Sequence, residues 1–246
     1  MKGPESTVAR DLADLVRAVA APWAGERRRR CSGPACSPAV AGVAFLGAGV
    51  TLSPAARAHH VMDGATPGNW LEGLVSGLAH PIIGLSHFLF LLTLGIVLAY
   101  CPWPRRLLAV AALAVCMLAG VLAPAAGRAI PMAELFCSLS VIVVGAAALS
   151  KRNTGPSAMV LMVGLAALFH GAVFSRAIIG AEAHPLIAYL VGLSITAAAL
   201  VVGIGVLVNA LATGFDEQFP RRSRRWTGIF AVTVGNLLLL LSLGGN

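Results

Sequence analysis

Four ionisable side chains stand within or beside strongly apolar stretches of the sequence. Three are the imidazoles of His80, His87 and His170, and the fourth is the carboxylate of Glu134. An ionisable group inside a membrane span costs on the order of 2.5 to 3.5 kcal/mol on insertion scales, so each one needs a partner or a function. Imidazoles combined with a carboxylate suit a borderline divalent ion such as nickel or cobalt. The residue types therefore predict a shared metal site.

Each of these residues also has a simpler interpretation. His87 or His170 alone is explained as a core imidazole that is hydrogen-bonded to a neighbouring carbonyl. Glu134 is explained as a first-turn carboxylate, which the helix dipole favours. The metal site is preferred because two imidazoles and the carboxylate are predicted at similar depth on three helices, all towards one side of the membrane.

The spacing of His80 and His87 adds a structural requirement. Seven helical residues separate the two by about 10.5 Å along the axis, which is too far for one ion. Pro81 and Gly84 lie between them. We therefore predict that the helix is broken or bent at this point.

The composition determines which elements position these residues. Of the 246 residues, 58% are hydrophobic and only 11% are charged, and the mean hydropathy is +0.84, whereas soluble domains carry roughly 25% charged residues. Aromatic residues at 6% are too few for the girdles of an outer-membrane barrel, and the apolar runs are continuous. The sequence thus predicts an all-α integral membrane bundle, embedded in a lipid bilayer.

Six apolar runs, separated by Pro, Gly and Arg, define the predicted spans. These are Ile82–Tyr100, Leu107–Leu122, Met132–Leu149, Pro156–Ile179, Leu186–Ala212 and Trp226–Leu243. Runs of small residues such as Gly145 to Ala148 and Gly203 to Gly205 predict close helix packing.

Residues 1–58 read as a polar leader followed by a cleavable signal peptide. Arg27 to Arg30 precede an apolar run of about 14 residues, which is shorter than the ~20 needed to span a bilayer, and small residues at 56 and 58 suit a cleavage site. Cleavage would leave a membrane domain of residues 59–246 that begins with His59 and His60, a possible second metal-collecting point. The alternative is an uncleaved anchor.

Loop charges predict a multi-pass protein of the cytoplasmic membrane with the mature amino terminus outside. With that orientation eight basic residues lie inside and two outside, as the positive-inside rule requires. The inner ones are Arg105, Arg106, Lys151, Arg152, Arg221, Arg222, Arg224 and Arg225, and the outer ones are Arg128 and Arg176. Basic residues placed in this way set topology, so the net charge of +8 does not indicate nucleic-acid binding.

No catalytic or nucleotide-binding motif is present in the sequence. Cys101, Cys116 and Cys137 are singly placed, so we interpret them as small core or loop residues. The protein is therefore predicted not to be an enzyme and to carry no resident cofactor.

The segment 80–87, HPIIGLSH, resembles the H-P-x-x-G-x-D-H signature of the HupE/UreJ family of small membrane proteins. This resemblance implies a nickel or cobalt permease that uses His80, His87, Glu134 and His170, with the ion as transported substrate. Further similarities lie at Pro131, Glu134, Ser140 and Gly145, at Phe169 to Gly171, and at Tyr189 and Gly192.

Three positions depart from the family pattern. Ser86 stands in place of the signature Asp, Phe174 in place of a second His, and Val201 in place of a His in the fifth span. Loss of a compensating negative charge makes replacement of the ion's hydration shell harder. A second hypothesis therefore stays open, in which the chain is a non-transporting family member that serves as a subunit of a larger membrane complex.

Overall fold

The computed structural model describes residues 66–150, 154–214 and 218–244. Within these ranges the chain is helical apart from turns and contains no strand, which confirms the predicted all-α class. The helices in chain order are α1 (Trp70–Ile83), α2 (Leu85–Ala99), α3 (Trp103–Ala125), α4 (Ala133–Leu149), α5 (Pro156–Phe174), α6 (Ala183–Gly214) and α7 (Phe219–Gly244).

Four of these helices, α3, α5, α6 and α7, are long and apolar enough to cross a membrane. The pair α1 and α2 meets the same criteria when taken together, and the two helices are bent by 73°. Helix α4 is apolar but has 17 residues, about 25 Å of helix against a hydrocarbon core of about 30 Å. The described residues therefore include four helices able to cross a membrane, or five spans if the bent pair forms one, as in a multi-pass membrane protein. The remaining one of the six predicted spans, at α4, is too short to meet the same criteria.

The first predicted span, Ile82–Tyr100, coincides mainly with α2 and misses α1. Helix α1 begins after Asn69, whose side chain accepts a hydrogen bond from the backbone N–H of Glu72 at 3.0 Å. This arrangement is an N-cap, which satisfies one of the free backbone donors at a helix start. Hydropathy alone overlooks α1 because the segment carries glycines, a glutamate and a histidine among its apolar residues.

The chain breaks between α1 and α2 at Gly84, as the spacing of the histidines requires. Gly84 has an extended backbone with φ −74° and ψ 110°, and Pro81 lies in the last turn of α1, where its ring disfavours continuation of the helix. A Cβ atom at Gly84 would collide with the imidazole of His87. Only glycine allows this close approach.

Helix pairs pack along one another through small residues. A methyl group at Gly145 in α4 would lie 3.0 Å from the Cβ of Ala231 in α7, so the predicted close packing is confirmed there. Gly203 in α6 has no neighbour within 4 Å of such a group, so the prediction is wrong for that residue. Large apolar side chains such as Val115 and Leu240 are exposed on the outside of the bundle, as expected for helices that face lipid.

The leader, the predicted cleavage site, His59 and His60 lie outside the described residues, as do Lys151 and Arg152. Their assignments stay predictions.

Candidate metal centre

His87 and His170 form the centre of a buried polar cluster. His87 lies in the first turn of α2 and His170 in the last turns of α5, and their Nδ1 atoms are 2.6 Å apart. Both side chains are buried, with His170 only 1% exposed. At this distance one nitrogen must donate a proton and the other must accept it.

Ser140 in α4 determines which nitrogen of His170 carries the proton. The Ser140 hydroxyl donates to the backbone carbonyl of Cys137 at 2.7 Å and lies 2.9 Å from Nε2 of His170. Because a hydroxyl has one hydrogen, we assign the second contact as Nε2–H of His170 donating to Ser140 Oγ. In the neutral ring Nδ1 of His170 is then the acceptor, and Nδ1–H of His87 donates to it.

This arrangement of His170 is typical of metal-binding histidines. Such residues usually donate one ring N–H to a nearby oxygen, which holds the ring and directs the lone pair of the other nitrogen towards the ion. Ser140 supplies the oxygen for His170 and leaves Nδ1 as the ligand atom. An ion would bind Nδ1 of His87 in place of the proton, and that proton would then be carried by Nε2 of His87, so that the ring stays neutral.

His80 joins the cluster across the break. Its ring centroid lies 6.4 Å from that of His87, closer than the ~10.5 Å of an unbroken helix. The hydroxyl of Tyr189 in α6 donates to the carbonyl of Phe174 at 2.9 Å and lies 3.2 Å from Nδ1 of His80. We therefore assign Nδ1–H of His80 as a donor to Tyr189, which leaves Nε2 of His80 as the possible ligand atom.

Aromatic rings close the cluster. Phe90 stacks on His170 with ring centroids 4.4 Å apart. Phe174 contacts both His80 and His87, at centroid distances of 5.1 and 4.1 Å. One small cavity adjoins the two histidines in contact, and it does not admit a water molecule, so side chains must move before an ion can enter. It is lined by His87, Phe90, Leu91, Met117, His170 and Phe174.

Glu134 lies apart from this contact network. Its carboxylate pairs with Arg176 in the turn after α5, and the two side chains are 55% and 57% exposed. Glu134 is in the first turn of α4, one turn before Cys137. The structure thus brings His87 and His170 into direct contact, places His80 beside His87, and gives the fourth predicted ligand a different partner.

Cys137 belongs to the cluster, although its isolated place in the sequence predicts only a small core or loop residue. Its Sγ atom and one ring nitrogen each of His87 and His170 lie within 4.8 Å of one another, and all three residues are buried. The spacing pattern contains a signal for it, since Glu134, Cys137 and Ser140 follow one another at intervals of three and share a helix face.

Comparisons with known proteins agree with the resemblance seen in the sequence. Residues 46–238 match the family model described as "HupE / UreJ protein". A curated relative, "Protein HupE" from Rhizobium leguminosarum bv. viciae, is 28% identical over 124 residues, which are 50% of this chain and 65% of the relative. The match therefore spans slightly less than two thirds of that relative's length. No solved structure matches the chain.

Proposed function

Because the chain belongs to the HupE/UreJ family, which is associated with nickel and cobalt transport, we propose that it is a permease for one of these ions. His80, His87 and His170 form the ion site. The observation that carries the proposal is the meeting of three imidazoles from three helices at a broken helix. An imidazole within an apolar bundle is costly, so three that lie together favour a common function.

The proposed topology has six spans in the cytoplasmic membrane. The bent pair α1 and α2 is the first span and α4 is the short third one, after removal of residues 1–58 as leader and signal peptide. The mature amino terminus is outside, and residues 59–246 form the membrane domain.

The polar groups support this orientation. Arg106 donates hydrogen bonds to the carbonyls of Ala99 and Cys101 at the end of α2, whereas His87 lies at the start of the same helix. The positive-inside rule then places Arg106 at the cytoplasmic end and the histidines towards the outside.

Glu134 serves as the outer attraction point for the ion. Its exposed carboxylate exchanges Arg176 for the arriving cation, which then moves to the histidines. The membrane potential supports inward movement, since it supplies about 2.3 kcal/mol per charge per 100 mV, or about 4.6 kcal/mol for a divalent ion.

One observation favours the second hypothesis, a structural subunit of a larger membrane complex. Phe174 is buried and packs against both His80 and His87, at a position where the family resemblance leads us to expect another histidine. A subunit that has lost transport would copurify with partner proteins, and nickel would not raise its melting temperature.

Nickel uptake by whole cells tests the permease. Cells that lack their own nickel importers are given the full gene, and radioactive nickel is measured with time. We expect His87→Ala and His170→Ala to lower uptake by about tenfold or more, since even supporting residues of metal sites cost 10- to 100-fold. His184→Ala is the matched control, because His184 is exposed in the first turn of α6. Wild-type uptake no greater than that of the empty vector, or full uptake by both variants, would contradict the proposal.

A further inference from the structure

We propose that Cys137 is an additional ligand of the ion site, beside His87 and His170, and binds the transported ion through its thiolate sulfur. This inference rests on the proposed function, because it takes the bound ion to be the transported substrate. It concerns binding, however, and is tested separately from transport. It assigns a role to a residue that neither the family signature nor the four predicted ligands include.

Geometry is the first support for this assignment. The Sγ atom of Cys137 and one ring nitrogen each of His87 and His170 lie within 4.8 Å of one another. With the bond lengths of a tetrahedral zinc site as a guide, the ligand atoms around one ion stand roughly 3.3 to 3.6 Å apart. Side-chain rotations that move these atoms by about 1 Å therefore produce a site, while the 2.6 Å contact between His87 and His170 opens by a similar amount.

The position of Cys137 on its helix is the second support. Its backbone carbonyl accepts the hydrogen bond from Ser140, the same hydroxyl that holds the ring of His170. Helix α4 thus positions the sulfur and orients the imidazole through one connected set of contacts. A small rotation of the His170 ring about its contact with the Ser140 hydroxyl keeps that hydrogen bond.

Charge balance is the third support. The histidines are neutral ligands, and Ser86 supplies no charge where the family signature has an aspartate. When a divalent ion binds, it replaces the thiol proton of Cys137, a metal–sulfur bond forms and the proton leaves to solvent. The thiolate then provides one negative charge beside the ion, which is the charge that the substitution at residue 86 removes.

A sulfur ligand also narrows the class of ion. Thiolate and imidazole together favour borderline and soft ions such as nickel, cobalt, zinc and copper, whereas magnesium, calcium and manganese prefer oxygen. The proposal therefore predicts strong rejection of the oxygen-preferring ions at this site.

Two other cysteines in the described chain are suitable controls. Cys101 lies beyond the far end of α2, where its thiol donates to the carbonyl of Val97. Cys116 in α3 lies against Gly164. Both are partly buried, and neither belongs to the trio of His87, Cys137 and His170.

Cobalt absorption spectroscopy on the protein purified in detergent, under reducing and oxygen-free conditions, tests the assignment. Cobalt bound to a thiolate gives an intense near-ultraviolet charge-transfer band that cobalt bound to nitrogen and oxygen lacks. We expect this band in the wild-type protein, its loss in Cys137→Ser and its retention in Cys101→Ser and Cys116→Ser. Cobalt affinity should fall about tenfold or more in Cys137→Ser and stay within about twofold of wild type in the controls.

The wild-type spectrum alone can overturn the inference. The test therefore remains valid even if the Cys137→Ser variant folds poorly. Cobalt that does not bind, binds without the band, or keeps the band in Cys137→Ser contradicts a thiolate ligand at residue 137. Nickel uptake that depends on His87, in a protein that shows no charge-transfer band, would support the permease function and contradict the cysteine ligand. A charge-transfer band that depends on Cys137, in a protein that shows no nickel uptake, would support the cysteine ligand and contradict the proposed permease function.

Discussion

His87 and His170 are 83 positions apart in the sequence, yet their Nδ1 atoms lie at hydrogen-bond distance, 2.6 Å. Two ligands of one tetrahedral ion would stand roughly 3.3 Å apart. The contact is therefore a hydrogen bond between two imidazoles, and its two nitrogens are too close together to bind one ion. For both histidines to bind one ion, the two rings must separate.

Ser140→Ala should weaken ion binding while leaving the helices intact. The change removes the acceptor of the His170 Nε2–H, and a buried donor left without a partner costs about 1 to 3 kcal/mol. We expect nickel affinity to fall about 10- to 100-fold, as it does for other supporting groups of metal ligands. Isothermal titration of the purified protein measures this change.

Ser138→Ala is the matched control for that experiment. Ser138 is also buried, but its hydroxyl donates only to the backbone carbonyl of Glu134 one turn earlier, among the contacts described. Equal losses of affinity in the two variants would show that Ser140 does not act through His170.

Gly84→Ala should disturb the site through the imidazole of His87. The added methyl group would overlap that ring, so the ring must move or the break must change its angle. We expect a loss of stability of about 1 to 3 kcal/mol, typical of overpacking, together with a loss of nickel uptake. Uptake assays combined with thermal unfolding measure both effects.

The control for this substitution is Gly203→Ala in α6, where nothing lies within 4 Å of the added group. It should keep wild-type uptake and a similar melting temperature. Normal uptake by Gly84→Ala would mean that the position of His87 at the break is unimportant for transport.

Phe174→His should raise nickel affinity. Phe174 contacts His80 and His87, so an imidazole at this place reaches the site, and it is smaller than the phenyl ring that it replaces. We expect a gain of about tenfold, seen as a larger nickel-dependent rise in melting temperature. Phe90→His is the comparison, because Phe90 stacks on the face of His170 and its replacement should not add a ligand. An unchanged or lower affinity in Phe174→His would count against a site between these rings.

Arg176→Ala should lower the nickel concentration needed for half-maximal uptake, and Glu134→Gln should raise it. The first change frees the exposed carboxylate from its ion pair, and the second removes its charge. The change in stability should be small, about 0 to 1 kcal/mol, because the pair is exposed. Both effects on uptake should diminish at high salt. Arg128→Ala, which removes the other predicted outer charge, tests whether any basic residue on that side has the same effect.

Some features of this protein follow from the sequence alone. Apolar runs of about 16 to 27 residues can lie in a bilayer only as helices, because lipid offers no partner for the backbone. Pro81 and Gly84 predict the break, since proline ends helical hydrogen bonding and seven intact helical residues would keep His80 and His87 too far apart. The rarity of ionisable groups in apolar segments also identifies the four residues that need a partner or a function, which are His80, His87, Glu134 and His170.

Other features depend on how the helices pack. The spacing of three residues puts Cys137 on the face of α4 that carries Ser140. It does not show that this face meets the histidines, because that contact depends on the rotation of α4 against its neighbours. The sequence cannot show that Glu134 pairs with Arg176, since the two are 42 positions apart and exposed ion pairs depend on how the two chain segments are brought together. Periodicity determines which face of a helix is polar, whereas tertiary packing decides which of the polar faces share one site.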